Sequence, residues 1–340
     1  MVARNTGREA LVVGAGLVGA FIANALAVGG LRVSVVDAQR TAQAATRRAV
    51  GLATPSPTRE HLADTLRGVE AVSSTALRLG VASRACRVVH TASSVAGTDA
   101  LHALYDELKG TRPKLTWETE GGAVPARYSG GLVVHNSVLI DLEALTARLM
   151  RHPNISVHEN IEIQSLEWRG GQLRALAAGY SIDTDAVVLA TNAYAGLLSP
   201  YLADAARIVR SVTWTSKPLS DAPALFQQVL QVTPMPLIVD QAQLIVAQTL
   251  DGRLRIAAWH ADNRGDPAGD IAQFLHTHLP ALAAHTADWH TGVTAFAPDG
   301  VPLVDRLEAG GTVVYALGAG AYGPAWAPLM AERAARLLEA

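Results

Sequence analysis

One short run near the start of the chain, Gly14-Ala15-Gly16-Leu17-Val18-Gly19, limits most tightly what the sequence can fold into. The apolar run 10–13 precedes it, and a stretch of small and apolar residues, 18–28, follows. The first suits a buried parallel strand and the second a helix. Gly29-Gly30 ends that helix, because glycine tolerates the left-handed backbone beyond a helix C-terminus. Residues 31–36 read as a second strand, closed by Asp37. In a strand–helix–strand unit the three glycines have separate tasks: a tight turn, close backbone approach to a pyrophosphate, and close helix–strand packing. Leu17 and Val18 open the helix, whose free N–H groups and positive dipole end favour phosphate. Asp37 lies eighteen residues after Gly19, where a carboxylate can accept hydrogen bonds from a ribose. The pattern predicts a dinucleotide-binding half-fold.

The rest of the chain alternates similarly, if less regularly. Residues 39–56 read as a loop of small residues. Helices are expected at 61–81, 101–108, 141–150, 271–279 and 324–338. Strands are expected at 155–157, 161–163, 173–177, 186–190, 208–217, 236–239, 243–247, 254–259 and 312–317. Asp251-Gly252 signals a hairpin, Gly121-Gly122 and Gly130-Gly131 punctuate a region of short strands, and Gly318-Ala319-Gly320 makes a second glycine-rich turn.

Several functions are disfavoured. A formal net charge of -2 and the lack of a dense Lys/Arg run argue against nucleic acid. A polar N-terminus and the lack of about 20 uninterrupted apolar residues predict a cytoplasmic chain without a membrane span. Cys86 is the single cysteine and reads as a small buried residue. His276, His278, His285 and His290 have no acid cluster beside them, so no metal site is expected. No Gly-x-Ser-x-Gly elbow supports a hydrolase.

The glycine motif fits FAD and NAD alike, but further blocks separate them. Residues 46–52, Thr-Arg-Arg-Ala-Val-Gly-Leu, form a small-residue loop ending in glycine and an aliphatic residue. Residues 185–198 form an apolar strand leading to Ala190-Thr191-Asn192. Residues 292–305 carry Pro298-Asp299-Gly300-Val301-Pro302, and residues 313–328 contain the second glycine turn. In this order the blocks resemble the FAD-dependent D-amino-acid oxidase family, which includes glycine oxidase and sarcosine oxidase. The resemblance implies an α/β fold: a Rossmann-type FAD domain from residues 1–80, 138–207 and 292–340, with an interleaved α+β substrate domain from 81–137 and 208–291. It implies that Gly14, Gly16, Leu17, Val18, Gly19 and Asp37 hold the ADP half. Thr46, Gly51 and Leu52 would lie near the flavin ring, and Ile161 at the adenine edge unless it only packs its strand. Thr191, Gly318, Gly320, Tyr322 and Gly323 would flank the flavin or its ribityl chain.

The implied activity is oxidation of a small amine or amino acid to an imine by hydride transfer to flavin, with oxygen accepting the electrons and yielding hydrogen peroxide. A dehydrogenase serving a quinone or protein acceptor, and a flavin-binding protein with a repurposed site, remain open alternatives. So does a homo-oligomer. A nicotinamide dehydrogenase is disfavoured by the closing glycine loop. The chain also departs from the family pattern. Asn192 stands where a glycine is usual. Thr294 stands where several members carry an arginine that clamps the substrate carboxylate. Gly292 stands where sarcosine-oxidase-like members carry a flavin-tethered cysteine, so FAD is expected to be non-covalent. His260, Tyr322 and Arg48 are the candidate substrate contacts. His260 could equally be a surface residue, Trp259 packing, Tyr322 and Trp326 core, and Arg47–Arg48 a solvated pair.

Overall fold

A computed structural model describes residues 7–119, 124–125, 128–169, 172–240, 243–260, 262–308 and 311–339. The Gly121-Gly122 pair lies outside the described residues, as does most of the polar N-terminus. The chain divides into two compact units. One comprises Met1–Arg47, Leu142–Ile208 and Thr294–Ala340; the other comprises Arg48–Asp141 and Val209–Val293. Residues 48–80, grouped with the nucleotide-binding pieces on the sequence reading, cluster with the second unit.

The first unit is built on a six-stranded sheet. At its centre β1 (Glu9–Val13) pairs in parallel with β2 (Arg32–Asp37) on one side and with the Ala186–Leu189 strand on the other. Ile155–Glu159 extends the sheet in parallel beyond β2, and Val313–Leu317 extends it beyond Ala186–Leu189. Leu303–Arg306 closes that edge antiparallel. Leu11, Val12, Val35, Val36, Val187, Val188 and Leu189 are wholly buried. That explains why these strands read as unbroken apolar runs: a sheet covered on both faces has no polar side to alternate with. The connecting helix α1 (Leu17–Val28) packs against the closing helix Gly323–Glu339 and against Leu142–Leu149. Its end is as expected: Gly30, one residue beyond the cap, takes φ 97°. A separate three-stranded antiparallel meander comprises Ile163–Arg169, Gln172–Ala177 and Tyr180–Thr184.

The second unit contains a nine-stranded, mostly antiparallel sheet. Strand order runs Thr286–Phe296, Arg207–Ser216, Leu254–Trp259, Leu244–Gln248, Leu237–Val239, Ser83–Thr91, Gly130–Ile140 and Leu52–Ala53, with Leu115–Thr119 also pairing Gly130–Ile140. The Asp251-Gly252 hairpin forms where expected, joining Leu244–Gln248 to Leu254–Trp259. Val89, Val133, Leu237, Val246, Ile256 and Trp214 form one core with Ile271, Phe274 and Leu275 of the Pro267–His278 helix. Leu132 and Val134 alternate with these and meet Leu62, Leu108 and Leu115 instead.

Several elements differ from expectation for local reasons. The loop at 39–56 contains a short helix, Ala45–Arg48, and the strand Leu52–Ala53, which owes its form to pairing with Leu139 and Val138. The expected strand at 161–163 starts only at Ile163 and runs to Arg169, because Asn160 turns the chain at φ 59°. The helix expected at 101–108 begins at Val95, where Ser94 Oγ accepts the Gly97 N–H. The Pro267–His278 helix likewise begins earlier than expected, with Asp266 accepting the Ala268 N–H. Ser83–Thr91 escaped notice because its first half is largely exposed and carries Arg84 and Arg87, which blurs the alternation.

His90, on that strand, is 3% exposed, and its Nε2 has no hydrogen-bond partner. Burial pulls its pKa from 6.5 down to about 3. A histidine held neutral in the folded state contributes stability above the unfolded pKa and loses it as pH falls toward the folded one. His90→Leu should therefore flatten the acid side of the stability profile between pH 6.5 and about 3, where the wild-type group contributes a slope of up to about 1.4 kcal/mol per pH unit. Urea unfolding across that range checks it; an unchanged slope would contradict the assignment.

Candidate cofactor and substrate sites

In the first unit the turn after β1 is fixed by crowding. Gly14 has φ 113°, and a Cβ there would lie 2.5 Å from the Ala190 carbonyl oxygen. A Cβ on Gly19 would overlap the Gly14 carbonyl oxygen. Neither position admits a side chain. Gly16 differs: its nearest neighbour, Thr46 Oγ1, would be 3.4 Å from a Cβ. The protein itself thus leaves room at Gly16, as close approach of a ligand backbone requires. Thr46 Oγ1 accepts the Leu17 N–H at 2.9 Å, so this hydroxyl serves the N-terminus of α1. Leu17 is buried and Val18 half-buried on that first turn.

Asp37 ends β2 with its carboxylate turned back to the same turn. Oδ2 accepts the Ala15 N–H at 2.7 Å, and Oδ1 accepts the Gln39 N–H at 2.8 Å. A carboxylate has about four acceptor positions, so each oxygen retains capacity for a diol. Burial pushes the Asp37 pKa up; its two N–H donors pull it back, and Glu159 nearby raises it again. Ile161 donates its N–H to the Asp37 carbonyl at 2.9 Å, which sets it beside the end of β2.

The opposite side of β1 leads to the second group. The Ala186–Leu189 strand ends in Ala190, Thr191 and Asn192. Asn192 has φ 51°, a left-handed conformation in which asparagine is the best tolerated residue after glycine. The chain therefore keeps the usual turn without the usual glycine. The Asn192 side chain adds a tether, its Oδ1 accepting the Ala295 N–H at 3.2 Å. The Thr191 hydroxyl is buried without a partner, which is costly unless a ligand supplies one. Gly318 (φ 84°) and Gly320 (φ 54°) form the second glycine turn. Cβ atoms there would press on Ala297 at 3.0 Å and on the Phe296 ring at 2.8 Å. Tyr322 ends the turn half-buried, and Gly323 opens the closing helix. Trp326, 5% exposed, is core.

Residues of the second unit fall into two groups. Gly51 has φ 82° and a Cβ would lie 2.9 Å from the Ile140 carbonyl oxygen, while Leu52 is buried opposite Leu139. Arg48 lies across Gly292 and donates from Nη2 to the Val293 carbonyl at 2.9 Å. The Arg48 carbonyl accepts from Thr213 Oγ1 at 2.8 Å, and the Ala49 carbonyl accepts from Arg255 Nη1 at 3.1 Å. His260 stands apart from these: its Nε2 is 2.5 Å from Asp270 Oδ2 and its ring lies where a Gly265 side chain would be. It clasps the end of a strand to the Pro267–His278 helix. Arg47 pairs with Gln43 at 2.5 Å, so the two arginines are not a matched solvated pair. Burial pushes the Cys86 thiol up to about 12, far from a reactive thiolate. Among the described residues no group of three or more His, Cys, Asp or Glu side chains could hold a metal, and no helix is long and apolar enough to cross a membrane. Sequence reasoning missed Arg255; Thr191 was named from the resemblance, and packing adds that its hydroxyl is buried without a partner.

The family comparison agrees with this geometry. The model of the FAD dependent oxidoreductase family, DAO, matches residues 9–337, and the chain belongs to that family. Among solved structures, glycine oxidase from Geobacillus kaustophilus is similar at 18% identity and a TM-score of 0.79, over 98% of this chain and 95% of that one. L-proline dehydrogenase from P. horikoshii is similar at 17% identity and 0.79, over 97% and 93%. L-alpha-glycerophosphate oxidase from Mycoplasma pneumoniae, with FAD bound, is similar at 17% identity and 0.76, over 98% and 95%. No curated protein matches the sequence.

The residues present fit FAD: a crowded glycine turn with space only at Gly16, an acid with spare acceptor capacity, and a buried hydroxyl lacking a partner. Asp37→Ala should weaken FAD binding about 10- to 100-fold, as expected for a lost hydrogen bond to a charged group. Asn192→Gly should bind FAD normally, whereas Asn192→Val, forced into a left-handed backbone, should lose about 1–2 kcal/mol of stability. Flavin fluorescence titration and thermal unfolding read the two effects; equal behaviour of the Asn192 variants would refute the conformational argument.

Proposed function

We propose that this FAD-dependent oxidoreductase oxidises the carbon–nitrogen bond of a small amino acid or amine to an imine, with non-covalent FAD and oxygen as the acceptor. FAD, when bound, supplies the acceptor for the two electrons that leave the substrate carbon as hydride. The nitrogen would lose a proton and water would hydrolyse the imine, while oxygen, as the proposed final acceptor of the two electrons, would leave as hydrogen peroxide. The observation that carries the reading is the coverage: two of the three structural relatives above act, by name, on amino acids, and each aligns over nearly the whole chain.

The roles proposed for the chain's own residues are of binding and placement. Gly14, Gly16, Gly19, Leu17 and Val18 present backbone to a pyrophosphate. Asp37 accepts the ribose hydroxyls, with Ile161 beside it. Thr191, Gly318, Gly320, Tyr322 and Gly323 line the flavin side, and Gly51 and Leu52 present the paired loop of the second unit. Thr46 supports the helix terminus. No side-chain base is required at the carbon, because hydride departure needs geometry and exclusion of water rather than proton abstraction. His260, occupied with Asp270, is not assigned a substrate role. Gly292 offers no thiol for a covalent flavin link.

The glycerophosphate oxidase likeness supports one second reading, oxidation of a carbon–oxygen bond. The FAD-loaded protein, mixed without oxygen with a panel of amino acids, amines and hydroxy acids, separates the two. Bleaching of the flavin by an amino acid or amine is the expected result; bleaching by hydroxy compounds alone would reverse the choice. Readmitting oxygen should then restore the flavin with one hydrogen peroxide per turnover. Failure to do so, beside ready reduction of a dye, would assign a quinone or protein acceptor.

A further inference from the structure

We propose that residues 39–46 form a strap along the ADP half of the FAD site and that Glu159 latches it, so that this exposed carboxylate sets how fast the cofactor leaves. The proposal is independent of which bond the enzyme oxidises. The course of the strap is fixed by its ties. It starts at Asp37, whose Oδ1 accepts the Gln39 N–H at 2.8 Å. It crosses the glycine turn, where the Ala42 N–H donates to the Ala15 carbonyl at 3.0 Å. It ends at Thr46, whose Oγ1 accepts the Leu17 N–H at 2.9 Å and would lie 3.4 Å from a Cβ on Gly16. The strap therefore runs from the acid assigned to the ribose to the turn assigned to the pyrophosphate.

Strain at Ala42 works against the closed strap. Ala42 is buried and has φ 62°. Among the described residues, every other non-glycine residue with a positive φ is asparagine or aspartate, whose short polar side chains tolerate the left-handed backbone. Alanine has no such help. It keeps that conformation only where its surroundings impose it. Relaxing Ala42 would move its N–H off the Ala15 carbonyl, so the backbone itself favours release of the strap.

Glu159 opposes that strain from the neighbouring strand. It ends Ile155–Glu159 in register with Asp37. Its Oε1 accepts the Thr41 N–H at 2.8 Å, one residue before Ala42. The Thr41 N–H, then the Thr41 side chain, hold the Glu159 carboxyl below the usual carboxylate range, and the Arg40 charge adds to them. A backbone tie from the same strand end joins in, the Asn160 N–H donating to the Gln39 carbonyl at 3.2 Å. Gln39, Arg40 and Glu159 are all exposed, so water reaches this tie and no core residue must move for it to break. A hydrogen bond to an exposed charge is weak. A weak surface tie set against a strained residue makes an element that opens locally while the sheet beneath it stays intact.

The test follows release of FAD from the loaded protein after dilution, read by flavin fluorescence. Glu159→Ala should speed release about 3- to 10-fold, as expected for a lost hydrogen bond to an exposed charge. Glu159→Gln keeps an acceptor oxygen and should fall between the two. Ala42→Gly relieves the strain without touching the tie, and should slow release about 3- to 10-fold. A general loosening of the fold could not move the two variants in opposite directions. A second readout needs no cofactor. In the cofactor-free protein, trypsin should cut after the exposed Arg40 faster in Glu159→Ala than in the wild type, and slower in Ala42→Gly, with the cut located by mass spectrometry. Release that is unchanged in both variants, or shifted the same way in both, would overturn the proposal, as would equal cutting after Arg40 in all three proteins. If Glu159→Ala does not fold, Ala42→Gly decides alone: slower release supports the latch, and unchanged or faster release overturns it.

Discussion

The nucleotide-binding unit depends on a close approach of backbone to backbone. Gly14, Gly19 and Ala190 meet so tightly that no Cβ fits at either glycine. That contact joins β1, the start of α1 and the end of the Ala186–Leu189 strand at one point. It aims the first turn of α1, lets Asp37 hold that turn directly through the Ala15 N–H, and brings Thr191 and Asn192 to the neighbouring strand end. A cofactor binding here is recognised mainly by backbone, which is why the pattern of glycines is so restrictive and the remaining identities so free.

Two of the three departures from the family pattern, Asn192 and Gly292, have a conformational or steric account. Asn192 adopts the left-handed backbone of the glycine it replaces and adds a hydrogen bond to the Ala295 N–H. Its identity is therefore no sign of a decayed turn. Gly292 is not a neutral replacement either: its missing Cβ is the space in which the Arg48 guanidinium lies. Substitutions that look like losses in a linear pattern are here exchanges between backbone freedom and side-chain reach.

Much of this was legible in the sequence where structure follows from local rules. Unbroken apolar runs marked the buried parallel strands, and the spacing from Gly19 to Asp37 marked the first unit. What escaped notice depends on long-range pairing. Leu52–Ala53 is a strand only because Leu139 and Val138 lie beside it, and Ser83–Thr91 hides its alternation behind exposed arginines. His260, read as a candidate substrate contact at a strand end, is held by Asp270 and packs over Gly265, neighbours close in sequence whose contacts the linear pattern did not show. Arg48 was visible as a candidate, but its seat on Gly292, far along the chain, was not.

The central claim is that the turn after β1 is a flavin dinucleotide site. Its most direct test is equilibrium titration of the cofactor-free protein with FAD in the presence of excess NAD, followed by flavin fluorescence. Saturable binding of one FAD per chain, undiminished by NAD, is the predicted result. Absence of FAD binding, or its displacement by NAD, would contradict the account.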